Sequence, residues 1–364
     1  MSVRTRLATA IKYSLSKYSG ITLDEEEATR ICWRELPRVS RSFALVIQNL
    51  PEGLDKDIMV GYEILRVVDT IEDSTLDMET RNETFRLFRE ILNGALENHK
   101  IIEFQRVLDE GTFKELDKAV VNHMLPNVFT TLYSLGEEQR KIIIRTATEM
   151  SYGMAREDFL DIQTLEHQDK YCHYVAGIVG TMLTDLFRVS GRLDEERYNK
   201  IYHYSEPYGI GLQKVNILKD MSGDLYEDRL YWPRDVVEKH GFTKMNIVEM
   251  ASKRPKEAIK VVNEIVIDTA RHLDNGVLYV TKLPENEKKV RMFSAIPLYM
   301  AIATAALMYN NPDVYTTPLK IPRTQTLAIT AKLNSIIQDN DKLVDYYNKL
   351  FYDKLDGVRE PLSL

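Results

Sequence analysis

Cysteine is nearly absent: Cys32 and Cys172 are the only two in 364 residues. That is too few for a disulfide framework and the wrong spacing for zinc, and it suits a reducing compartment. Seven histidines are scattered without an HExxH or ExxH pair, which argues against zinc-hydrolase and di-iron chemistry. Glycine (16) and proline (12) are sparse, so collagen-like and low-complexity classes are excluded. No dense basic tract occurs and the net charge is −7, which excludes a nucleic-acid footprint. No GxGxxG follows a strand-like run, so no Rossmann fingerprint is present. The N-terminus lacks the apolar core of a secretory signal. The longest apolar run, AIPLYMAIATAALMY from Ala295 to Tyr309, contains a proline. It is too short for a comfortable membrane span and reads as a buried core helix. These absences describe a chain without a transmembrane segment, cytoplasmic or peripheral at a membrane surface.

What is present is helical. With 44% hydrophobic and 28% charged residues, apolar side chains recur at helical spacing. Leu87, Phe88, Ile91 and Leu92 form one such set; Val261, Val262, Ile265, Val266 and Ala270 form another. Turn signals such as SLGEEQ, VSGRLDEE and HGFTKMN separate the helices. The pattern predicts one all-α domain over residues 1–364 with roughly a dozen helices joined by short loops. Beyond Asn310, three prolines in NNPDVYTTPLKIPRTQT predict a structured loop before a last amphipathic segment.

Two helices carry an unexpected charge pattern. In IMVGYEILRVVDTIED the residues Tyr62, Arg66, Asp69 and Asp73 fall on one face, at about 100° per residue. In YGIGLQKVNILKDMSGD the residues Gln213, Asn216, Asp220 and Asp224 do the same. Each polar stripe ends in an Asp pair at i, i+4 on an otherwise apolar helix. An i, i+4 Asp pair on an exposed helix is common and needs no function. Burying an unpaired carboxylate is costly, so two such stripes on apolar helices point to a cation. Facing each other, the pairs would form an oxygen-only site. Mg²⁺, or Mn²⁺ in its place, prefers such a set and shares it with substrate phosphates.

Six segments, RVSRSFALVIQNLP, LRVVDTIED, DKYCHYVAGIVG, LQKVNILKD, YWPRD and FSAIPLYMAIATAALMYNN, closely resemble in order the signature segments of squalene synthases. The resemblance covers about residues 38–320. It implies the all-α isoprenoid-synthase fold with a central cavity between helices. It also implies Mg²⁺-dependent head-to-head condensation of two farnesyl diphosphates to presqualene diphosphate, then NADPH-dependent reduction to squalene. On this resemblance Asp69, Glu72, Asp73, Asp220 and Asp224 hold metal. Ser40, Arg41, Arg66, Lys219 and Arg229 meet diphosphate oxygens, as suits arginine; for Lys219 alone a surface ion pair explains its place equally well. Phe43, Tyr62, Gln213 and Asn216 complete the substrate contacts, while Phe293 and Pro297 line the prenyl pocket. Tyr171 matches the tyrosine placed near the cation, where its hydroxyl relays a proton to the leaving diphosphate. Cys172 and His173 are expected to pack. Gly177 and Gly180 permit close approach of chain or of substrate.

Three departures from the family pattern qualify the expectation. The second acidic motif is DMSGD, with Gly223 where a glutamate is usual, unless Glu227 or Asp228 compensates. Ser294 replaces a common cysteine. The basic run associated with NADPH is altered: Thr317 stands for a glycine, Pro322 for an arginine and Arg323 for a lysine, which leaves Asn310, Lys320 and Arg323 as the cofactor contacts. A non-reductive relative (a presqualene diphosphate synthase, a phytoene- or dehydrosqualene-type synthase, or a terpene cyclase) is the alternative. An inactive prenyl-diphosphate-binding protein is a third. The chain stops at Leu364 without the C-terminal anchor of eukaryotic members, as a naturally soluble member or a shortened chain would.

Overall fold

The computed structural model describes residues 24–94, 98–113, 115–226, 229–355 and 357–364. The described residues are helical, and their one β-type pairing is an isolated bridge between Asp161 and Leu230. The all-α expectation holds. By Cα proximity the chain divides into two compact units: residues up to Gln48 with Glu52–Ala155, and Asn49–Pro51 with Arg156–Leu364.

The first unit runs through α1 (Glu25–Val39), α2 (Arg41–Ile47), α3 (Leu54–Glu72), α4 (Met78–Asn93), α5 (Asn98–Leu108) and α6 (Glu115–Ala119). A π-helical segment, Val120–Met124, leads into α7 (Leu125–Tyr133), and α8 (Glu137–Met154) follows. Local chemistry sets the helix starts. Asp24 accepts from Glu26 N at 2.9 Å, Ser40 Oγ from Phe43 N at 3.2 Å, and Asp77 from Thr80 N at 3.0 Å, each satisfying an orphan amide. The core closes on Phe88, whose ring lies 6.1 Å from Phe104 and 6.2 Å from Phe129. Against this core α3 turns one face inward.

The second unit contains α9 (Leu165–Cys172), a π-helical segment His173–Gly177, α10 (Ile178–Val189), α11 (Glu195–Tyr226), α12 (Arg234–Lys239) and α13 (Ile247–Lys253). After these come α14 (Pro255–Lys282), α15 (Lys288–Met308), α16 (Arg323–Ile336) and α17 (Asn340–Leu350). The long helices α11 and α14 pack against each other, and α10 and α15 pack on α11. Glycine makes one of these approaches possible. A Cβ on Gly180 would sit 1.9 Å from the Ser205 carbonyl oxygen, and one on Gly209 would sit 2.1 Å from that of Ala176. A Cβ on Gly177 would reach Glu206 Cγ at 3.0 Å. Close helix packing therefore accounts for Gly177 and Gly180.

The apolar run near residue 300 lies in α15, which is long and apolar enough to cross a membrane, yet 61% of its apolar window is buried inside the protein. Arg291, fully buried near its start, donates to the Leu283 carbonyl at 2.7 Å and to Asn340 Oδ1 at 2.5 Å. Such a charge tied to backbone and amide oxygens fits a core helix.

Candidate active site

On α3 every residue from Ile58 to Ile71 is buried except Tyr62, Arg66 and Asp69, which are half-buried, as are Glu72 and Asp73 at the helix end. The polar stripe read from the sequence is the open strip of an otherwise enclosed helix. Phe43 stacks on Tyr62 with centroids 5.6 Å apart, and burial pushes the Tyr62 hydroxyl up while a bond from Ser40 opposes. Arg66 is shared. Its Nη1 lies 3.4 Å from Asp69 Oδ2, and its Nη2 donates to Asp117 Oδ1 at 2.5 Å. Asp117, 1% exposed, also accepts from Thr70 Oγ1 at 3.3 Å. Asp117 was not foreseen; it is one of two acids in ELDKA, and only the fold brings it to Arg66.

Electrostatics show what this helix end lacks. Burial lifts the Asp69 carboxyl to about 7; Asp73, Glu72 and Asp117 add to the rise, and Arg66 opposes it. Three acids occupy the last turn and cap of α3, which carries no basic residue there, at the negative pole of the helix dipole. The same holds at the end of α11, where Asp224 stands in a last turn free of basic residues. Both ends offer oxygen donors, and the donor set fits Mg²⁺.

On α11 the second stripe forms a bonded chain. Asn216 Nδ2 lies 3.5 Å from Gln213 Oε1, Lys219 Nζ donates to Asn216 Oδ1 at 3.2 Å, and the same ammonium meets Asp220 Oδ2 at 3.2 Å. Lys219 thus makes the surface ion pair, with Asp220 about half exposed. A Cβ on Gly223 would meet nothing within 4 Å, so space does not forbid the glutamate that is missing there. Glu227 and Asp228 lie outside the described residues, as does the Arg41 side chain.

Tyr171, 9% exposed, stacks on Tyr231 at 4.7 Å and meets the edge of Phe159 at 5.5 Å. Arg229 Nη1 lies 3.4 Å from the Tyr231 hydroxyl. Arg229, Tyr231 and Tyr171 therefore touch in sequence, and Tyr231 is a residue that sequence reasoning passed over. Trp232 anchors this strip by donating Nε1 to the Ile217 carbonyl of α11 at 3.3 Å. Cys172 is buried, while His173 Nδ1 pairs with Glu206 at 2.7 Å. Phe293 is buried against the edge of Phe187 at 6.4 Å, and Pro297 lies half-buried within α15.

Asn310, at φ 58°, exchanges two bonds with Asn263, at 2.7 and 2.8 Å. The left-handed backbone, which asparagine tolerates, is thereby clamped. Lys320 is exposed on the loop leading into α16 and Arg323 is exposed as the first residue of that helix.

One buried acid on α3 belongs to no stripe. Glu63 is fully buried, and among the described residues neither carboxylate oxygen has an N–H or O–H partner. Burial lifts it from 4.5 to about 8; the Cys32 thiol opposes and Glu35 adds. The folded state thus holds a proton that the unfolded chain releases above 4.5, and stability falls as pH rises from 4.5 to about 8. Glu63→Gln removes this loss. Its melting temperature is expected to match wild type below pH 4.5, exceed it increasingly up to about 8, and stay level beyond. A difference independent of pH would refute the assignment.

The family model for squalene/phytoene synthase matches residues 36–325. A squalene synthase of Schizosaccharomyces pombe is 31% identical over 89% of this chain and 69% of its own length. One from Dictyostelium discoideum is 33% identical over 84% and 70%. The structure of TcSQS with the ligand BPH1237 superposes with a TM-score of 0.77 at 28% identity, covering 93% of this chain and 94% of the other.

Proposed function

The chain belongs to the squalene/phytoene synthase family, and on that premise we propose that it is a farnesyl-diphosphate farnesyltransferase, joining two farnesyl diphosphates head to head and carrying the product to squalene. The pair of acidic helix ends supports this most directly. On α3 the carboxylates of Asp69 and Asp73 stand in the open strip of a buried helix, and on α11 Asp220 and Asp224 close a bonded polar stripe.

Mg²⁺ held by Asp69, Glu72, Asp73, Asp220 and Asp224 would neutralise diphosphate charge as the carbon–oxygen bond breaks. The remaining roles fall to the chain itself. Arg66 is fixed by Asp117 with its other nitrogen toward Asp69, which presents a guanidinium edge to phosphate oxygens without free rotation. Ser40, Arg41, Lys219 and Arg229 supply further donors, and Gln213 and Asn216 orient Lys219. Phe43 and Tyr62 offer a stacked apolar wall. Phe293 and Pro297 belong to the apolar run that keeps water from an allylic cation. Tyr171 offers a π-face to that cation and a hydroxyl to the departing diphosphate.

Squalene formation consumes a hydride, which we assign to NADPH. Among the described residues there is no strand–turn–helix that would form a dinucleotide fingerprint. The nucleotide would therefore be held by exposed cations such as Lys320 and Arg323, with Asn310 shaping the turn before them. Contact with a membrane surface is part of the same proposal, since the substrate and product are long hydrocarbons.

The test is incubation with farnesyl diphosphate and Mg²⁺, with and without NADPH, followed by mass spectrometry. Squalene only in the NADPH tube is the expected result. Presqualene diphosphate, a non-reduced hydrocarbon or a cyclised terpene in both tubes would overturn the reductive step. No consumption of farnesyl diphosphate would overturn the substrate.

A further inference from the structure

Lys214 of α11 is fully buried, and its ammonium bonds Asp169 of α9 and Asp268 of α14. Asp169 Oδ1 also lies 3.3 Å from His272 Nε2, and Asp268 bonds Arg271. Ligand atoms of Asp169, Asp268 and His272 fall within 4.8 Å of one another, as around a metal. The Lys214 ammonium bonds both carboxylates of that group, so the cluster is a lysine-centred ion triad rather than a cation site. Burial would raise the Asp169 carboxyl, but His272 and Lys214 together hold it below its usual range.

The triad joins three helices, and its place on α11 is informative. At about 100° per residue, Lys214 lies about 160° around the helix from Asn216 and about 120° from Asp220. Lys214 is buried, Asn216 is exposed and Asp220 is half exposed. Turning Lys214 inward therefore turns the polar stripe outward. Val215, Ile217, Leu218 and Met221 are all buried around it. Where α11 approaches its neighbours most closely it does so through glycine, at Gly209 against Ala176 and at Gly211, whose added Cβ would stand 3.2 Å from His272. A Cβ on Gly209 would sit 2.1 Å from the Ala176 carbonyl oxygen, so this close packing also constrains the register. A slip of one residue along α11 would also leave the half-buried Asp169 and the buried Asp268 carboxylates facing Gln213 or Val215 instead of an ammonium.

We propose that Lys214 is a positioning residue, whose bonds to Asp169 and Asp268 fix the rotation and register of α11 and so aim the Gln213, Asn216 and Asp220 stripe relative to α9, which carries Tyr171. This rests on the assignment of that stripe to substrate under the proposed function.

Stability and positioning can be separated because a whole buried triad can often be replaced by neutral groups without loss of stability. Lys214→Met alone is expected to lower both the melting temperature and kcat. Combining it with Asp169→Asn and Asp268→Asn is expected to restore the melting temperature while kcat for farnesyl diphosphate stays about 10-fold or more below wild type, since small misplacements are costly to rate, with KM little changed. Return of kcat together with the melting temperature would reduce the triad to a stabilising role and overturn the proposal. If the triple variant does not fold, Asp268→Asn, which keeps the lysine and one carboxylate, is measured where circular dichroism shows it folded. A wild-type kcat per folded molecule then overturns the proposal, and a lowered one upholds it. Asp220→Asn run alongside separates the two levels. If it keeps full turnover, the assignment of the stripe fails and the proposal with it. If it loses turnover while the triad variants keep theirs, only the positioning role falls.

Discussion

Asp69→Asn is expected to lower turnover of farnesyl diphosphate by about 10³-fold without lowering the melting temperature of the protein measured in the absence of Mg²⁺. The two halves of this result have one cause. Asparagine keeps the shape of the side chain but removes an anionic metal donor. Burial and the neighbouring Asp73, Glu72 and Asp117 already drive the Asp69 carboxyl up to about 7, so in the unliganded protein a neutral amide relieves repulsion rather than creating it. A residue kept for stability shows the opposite sign. Mg²⁺ with inorganic pyrophosphate should raise the melting temperature of the wild type and do so less in the variant, because ligand binding stabilises only the form that binds. Asp220→Asn should lose turnover similarly. Its stability should hardly move, since its ion pair with Lys219 is half exposed and worth little. Full turnover in Asp69→Asn would end the assignment of the α3 acids to catalysis.

The stripes were legible because a helix imposes a fixed angle per residue, so carboxylates four apart share a face wherever the helix goes. The helical class was legible for the same reason, from spacing and from the scarcity of breakers. What sequence left dark is pairing over long separations. Asp117 lies 51 positions from Arg66, and nothing in ELDKA distinguishes it from a solvated acid. Lys214 reads as one more polar residue beside Gln213, yet three helices meet on it. Tyr231 was absorbed into the YWP signature, although its ring lies flat on Tyr171. Gly177 and Gly180 were ambiguous until the opposing carbonyl and side chain were in place. One passage between the two compact units falls at Ala155–Arg156, within MAREDFL, which has no proline, glycine or serine to announce it.

Tyr171→Phe is expected to cost about 10²-fold in kcat, with KM and melting temperature nearly unchanged. The ring of Tyr171 is almost enclosed, stacked on Tyr231 at 4.7 Å and edge-on to Phe159 at 5.5 Å. Phenylalanine preserves both contacts, so any loss belongs to the hydroxyl and not to packing. Tyr171→Leu removes the stacking as well, worth about 1 kcal/mol per aromatic pair, and should lower the melting temperature in addition. The comparison separates two ways for one tyrosine to serve an allylic cation. If the hydroxyl moves a proton to the leaving diphosphate, phenylalanine is as poor as leucine in kcat. If the π-face alone stabilises the cation, phenylalanine keeps wild-type turnover and only leucine fails. The contact of Arg229 with the Tyr231 hydroxyl at 3.4 Å places a cation that would attract diphosphate beside the ring stacked on Tyr171, so either role of Tyr171 would act next to the leaving group.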